Sequence, residues 1–138
     1  MRMALAVFFM ILAVSVSAKA KSDADRTAIK NVISGQIDAF RRDDANSAYS
    51  FAAPSIQRLF PSPEVFMNMV RSGYSVVYRP QSYEFGMLDF ARGKWLQPVS
   101  LIGPRGRPMD AIYVMEQQPG GEWKIAGVFL MKSQGESA

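Results

Sequence analysis

Residues 36–80 read QIDAFRRDDANSAYSFAAPSIQRLFPSPEVFMNMVRSGYSVVYRP, and the punctuation within them sorts the stretch into short helices. Asp43 or Asp44 is placed to cap a short helix through Ala45, Ala48, Tyr49 and Ala52, because a carboxylate there accepts from the unpaired N–H groups of a first turn. Pro54 ends or bends that helix, since the residue before a proline is pushed out of the helical region. Ile56, Leu59 and Phe60 make a brief apolar turn. Ser62, Pro63 and Glu64 open a third helix, with a hydroxyl cap, a proline whose missing N–H costs nothing at the first position, and an acid at the positive end of the dipole. Val65, Phe66, Met69 and Val70 give its buried side, and Gly73 is its stop.

Upstream, Ser22 is a helix N-cap with Asp23 and Asp25 in the first turn. Ile29, Val32, Ile33, Ile37 and Phe40 recur at three- and four-residue spacing, which predicts an amphipathic helix of about 18 residues. Gly35 inside it costs roughly 1 kcal/mol against Ala, so it marks a close approach to a neighbouring element. Downstream the period changes to two. Tyr83, Phe85 and Met87 alternate with Ser82, Glu84 and Gly86, and Leu88 and Phe90 continue on the opposite phase, which predicts one strand with a bulge near Gly86. Ala91 to Lys94 is a hairpin loop and Trp95 to Ile102 the next strand, with Pro98 marking an edge or bulge. Ala111 to Glu116 and Trp123 to Met131 complete a four-stranded antiparallel meander. Helices followed by such a meander make an α+β domain.

At 138 residues the chain holds one domain. It contains no Cys and no His, which excludes disulfides, thiol chemistry and cysteine zinc sites, and removes the commonest general base and metal ligand. Arg2, the apolar run Met3 to Val16 and the small residues Ala18 and Ala20 form a secretory leader pattern over residues 1–20. The apolar run is short of the roughly 20 residues a spanning helix needs. Residues 21–132 are then the domain and 133–138 a frayed tail. Loss of the leader leaves 14 basic against 12 acidic side chains. They are scattered rather than gathered in the basic stripe that nucleic-acid binding requires. The chain is therefore expected to be exported to the periplasm or beyond, and to meet the membrane only through its leader.

Gln36, Ala39, Phe40, Asp43 and Asp44, then Ala48-Tyr49-x-Phe51-Ala52-Ala53-Pro54, then Gly73-Tyr74-x-x-Val77-Tyr78-Arg79-Pro80 and Gly121-Glu122-Trp123-Lys124-Ile125 together resemble the nuclear-transport-factor-2-like superfamily. Within it the chain resembles a bacterial family of exported domains of unknown function. The resemblance implies a cone, in which a curved four-stranded antiparallel sheet wraps the first helix and leaves a pocket at the open end. It also implies a homodimer through the outer sheet face. Its catalytic sets do not carry over, since the isomerases rely on a tyrosine in the first helix and many other members on histidine. Fold alone does not settle function.

Four residues are candidates for a ligand site. Arg79, beside Tyr78 and before Pro80, could clamp a carboxylate or phosphate; it could equally pair with Glu84 or Asp89. Tyr113 sits mid-strand between apolar neighbours, and Gln97 shares a face with Val99 and Leu101. A polar group on an apolar face is informative because burying it unpaired costs about 1–3 kcal/mol. Asp110 and Glu84 are the carboxylates that a lyase or isomerase would use with a tyrosine. The readings, in order, are a non-catalytic module binding a small, partly apolar ligand, without cofactor or metal; a structural or dimerisation domain; and that lyase or isomerase.

Overall fold

The computed structural model describes residues 22–133; residues 1–21, with the expected leader, and residues 134–138 of the expected tail lie outside the described residues. Ser22 caps the first helix, α1 (Asp23–Arg41), its hydroxyl accepting from the Asp25 N–H at 3.1 Å. The three-and-four spacing buries Ile29, Ile33, Ile37 and Phe40 along one stripe. Gly35 lies against the Phe51 ring. A Cβ built there would stand 2.7 Å from Phe51 Cζ, inside any real carbon–carbon contact, so the glycine marks the close approach that its helix cost implied.

Asp44 caps α2 (Ala45–Ser50), accepting from the Ser47 N–H at 3.1 Å. Pro54 does two things. It ends the preceding segment, and it supplies the first residue of a further helix, α3 (Pro54–Leu59), where the expected apolar turn stands. Ser62 caps α4 (Pro63–Gly73), as its Ser-Pro-Glu opening requires. A single turn, α5 (Ser75–Tyr78), follows, and Arg79 leaves the helical region (φ −139°) ahead of Pro80.

The sheet holds five strands, not the four expected: β1 (Ser82–Phe85), β2 (Asp89–Ala91), β3 (Lys94–Ile102), β4 (Pro108–Gln117) and β5 (Trp123–Lys132). Their order is β1-β3-β4-β5, with β2 also on β3. The single bulged strand expected over Tyr83 to Phe90 is two strands, both lying along β3. Pro98 supplies the reason. Gly86 N–H donates to the Pro98 carbonyl at 2.9 Å, but Pro98 has no N–H to return the bond. The Gln97 side chain takes that place, its Nε2 donating to the Gly86 carbonyl at 2.8 Å, and regular pairing lapses until Asp89. The Arg92-Gly93 turn (φ 54° and 76°) closes the β2–β3 hairpin in the twist-matched form such loops favour.

One face of the sheet packs on α1, so that Ile29, Ile33 and Ile37 share a core with Val99, Leu101, Ala111, Met115 and Ile125. At the start of β5, Ile125 is bonded on its outer edge by the segment between α2 and α3. Its N–H donates to the Phe51 carbonyl (2.9 Å), and the Ala53 N–H donates to its carbonyl (2.8 Å). This latch sets α3 beside β5 and positions the helical side of the pocket described below.

The Gly35–Phe51 contact gives a test with a change of sign. Gly35→Ala gains helix propensity of about 1 kcal/mol but overpacks the ring, which costs about 1–3 kcal/mol. The variant is expected to be less stable than the native chain in urea melts. In a Phe51→Leu background the same Gly35→Ala change is expected to stabilise.

Candidate functional site

The four residues singled out in the sequence fall into two pairs. Gln97 and Tyr113 are direct partners across β3 and β4, both wholly buried. Gln97 spends its amide nitrogen on the Gly86 and Pro98 carbonyls at 2.8 and 2.9 Å. Its Oε1 and the Tyr113 hydroxyl have no partner among the described residues. Burial pushes the Tyr113 phenol above its usual range, with the nearby Tyr83 adding to the effect, so it stays protonated.

Tyr78 and Arg79 lie at the surface, where α5 meets the turn between α1 and α2. The Tyr78 hydroxyl donates to Asp43 Oδ1 and accepts from Arg71 Nε at 3.1 Å. Arg79 Nη2 donates to the same Asp43 oxygen at 2.8 Å, and its guanidinium lies 4.6 Å from the centre of the Tyr78 ring. The partner of Arg79 is thus Asp43 rather than Glu84 or Asp89. Asp43 itself has φ 54°, a left-handed conformation that Asp tolerates better than most residues. The Tyr78 hydrogen bond, helped by the Arg79 charge, holds the Asp43 carboxyl below its ordinary value.

A carboxyl whose folded pKa is depressed contributes stability above its unfolded value, about 3.9, and loses it as pH falls through the folded pKa. Asp43→Asn keeps the backbone conformation and removes the titration. Urea midpoints for the two proteins are expected to differ most above pH 4 and to converge below it; a gap unchanged down to pH 2 would contradict this role of Asp43.

None of these four residues lines the apolar pocket on the helical side of β5. It is an open, apolar cleft of about 300 Å³ between the end of α1, α3, α4 and β5, lined by Phe40, Ile56, Phe60, Phe66, Met69 and Phe129 among others. Phe66 is its aromatic hub, with ring centres 5.7 Å from Tyr49, 6.2 Å from Phe40 and 6.4 Å from Phe60. The Tyr49 hydroxyl closes the corner by donating to the Phe60 carbonyl at 2.6 Å. Leu59 and Phe129 stand at the rim, 71% and 63% exposed. The register on β5 slips at Val114/Met115, leaving Ala126 as the extra residue, so the strand changes phase just before Gly127, Val128 and Phe129 enter the lining.

Glu84, Ser100 and Asp110 form one cross-strand row on the face turned away from α1. No carboxylate among the described residues lines the pocket. Among the described residues no group of carboxylates stands close enough to hold a metal ion, and no helix is long and apolar enough to cross a membrane.

The residue missed in the sequence is Gln36. It lies three residues after Ile33 and four before Phe40, inside the apolar stripe of α1, and is 4% exposed. That spacing was the available signal. The pocket itself had none, because Leu59 and Phe129 meet only once the chain has folded.

Residues 22–138 match the family described as domain of unknown function DUF4864, and the chain belongs to it. No curated protein and no solved structure matches the chain.

Proposed function

We propose that this member of the DUF4864 family is a non-catalytic module that holds a small, uncharged, apolar ligand in the cleft between α3, α4 and β5. The observation that carries the reading is the cleft: about 300 Å³, at the small end of the range for ligand pockets, and lined by hydrophobic and aromatic side chains as such pockets are. The site is built on Phe66, Met69 and Phe129 with Gln36, rather than on Tyr78, Arg79, Gln97 and Tyr113. The absence of any charged lining side chain disfavours an anionic ligand, because an ion buried there would lack a partner. A carboxylate-driven lyase or isomerase has no carboxylate in the cleft to draw on.

The reading extends to the fold family and to location. A long first helix against one face of an antiparallel sheet, with further helices beside a pocket, supports a nuclear-transport-factor-2-like cone. The Arg2 and Met3–Val16 leader pattern supports export.

The experiment is a fluorescence titration with 2-naphthol, a compact apolar probe that is uncharged at pH 7. Saturable one-site binding, with Kd on the order of tens of micromolar for a ligand of this size, is expected. A linear, unsaturable response would remove the reading.

A specific observation favours a second reading, self-association. On the face turned away from α1, Leu96, Val114 and Gly127 form one row across three strands, and Pro98, Ile112 and Phe129 the next. Two adjoining apolar rows are what a second sheet could cover. Sedimentation of the native protein as a dimer, and of Ile112→Glu as a monomer, is the outcome this reading requires.

A further inference from the structure

We infer that Gln36 is the specificity residue of the cleft, and that the ligand carries one hydrogen-bond donor, a hydroxyl or N–H, on an otherwise apolar body. This rests on the ligand-binding reading above. Gln36 and Gln97 are the buried polar side chains among the described residues, and of the two only Gln36 lines the cleft. Its orientation is fixed. The Ala48 carbonyl can only accept, so the Gln36 amide nitrogen must face it, and it does at 3.1 Å. Oε1 is then left out of that bond.

Gln97 Oε1 and the Tyr113 hydroxyl are without partners among the described residues, but they are sealed in the core. Gln36 instead lines the open cleft, and with Nε2 held by Ala48 the polar atom it has left to offer is Oε1. Apart from the Tyr74 phenol, no other lining side chain carries a nitrogen or oxygen. An acceptor held rigid from behind, in a wall otherwise apolar but for the Tyr74 phenol, discriminates by what it leaves unpaired: a ligand without a donor strips water from Oε1 and returns nothing. The same acceptor repels a carboxylate.

The test uses three probes of one shape on the full protein at pH 7: 2-naphthol, which has a donor; 2-methylnaphthalene, which has none; and 2-naphthoate, which is ionised. The native protein is expected to bind 2-naphthol about five- to tenfold more tightly than 2-methylnaphthalene and 2-naphthoate most weakly. In Gln36→Met the two neutral probes are expected to bind alike, with 2-methylnaphthalene gaining affinity because no acceptor is left to desolvate. The side-chain amide signals of Gln36 in NMR give a readout that does not depend on the variant folding. They should move further with 2-naphthol, which donates to Oε1, than with 2-methylnaphthalene, which shifts them only through its ring current. Equal affinities in the native protein, or discrimination surviving in Gln36→Met, overturns the role of Gln36 and leaves the cleft as a binding site. Failure of both neutral probes to saturate overturns the cleft itself.

Discussion

Met69→Trp is expected to weaken 2-naphthol binding by at least 100-fold while leaving the melting temperature within a few degrees of the native value. Met69 lies on α4 beside Phe66 and Val70, half-buried, with its side chain in the cleft wall. An indole there occupies space that the ligand needs. It does so without entering the sealed core, which would cost about 1–3 kcal/mol in strain. A hundredfold loss is about 2.7 kcal/mol, within what displacing an apolar ligand from a closely fitting cleft should give. Undiminished affinity in the variant would place the binding site elsewhere.

Ile33→Ala is expected to cost about 3–4 kcal/mol, the larger of the two effects on stability. Ile33 is fully buried midway along the α1 stripe, between Ile29 and Ile37, which are equally buried. The change deletes three carbons at about 0.8 kcal/mol each and adds the cost of a cavity that neighbouring side chains fill only in part. The better helix propensity of Ala returns only a few tenths of a kcal/mol. For a domain of this size the loss corresponds to a fall in melting temperature of roughly 10 °C or more. A loss below 1 kcal/mol would mean that α1 is not clamped to the sheet as the core requires.

Much of the fold was legible wherever a local rule decides the outcome. The Ser22 and Ser62 caps, the apolar stripe of α1, Pro63 at a first helical position and the turn before Lys94 all rest on neighbours within four residues. The three C-terminal strands were legible by alternation, with ends that differ by a few residues. Long-range causes were not legible. The split of the expected first strand depends on Pro98, more than ten residues further on, and on the Gln97 side chain replacing a missing backbone donor. Gln97 and Tyr113 stood out as polar residues on an apolar face, and they do share a buried face, but burial alone did not say whether that face opens to a ligand. Arg79 was readable as a residue seeking an anion. That the anion is Asp43 follows only from α5 folding back onto the α1–α2 turn. The cleft was the least legible feature, because its two rim residues, Leu59 and Phe129, are 70 positions apart and are brought together by the Ile125 latch.

The most direct test of the central claim is a backbone amide NMR titration of the protein with 2-naphthol. The expected result is a set of saturable shifts confined to the cleft, largest at Val70, Gly127, Val128 and Phe129, and fitting one dissociation constant. Shifts centred on Leu96, Pro98, Ile112 and Val114, which lie outside the cleft lining, or no saturable shift at any residue, would contradict it.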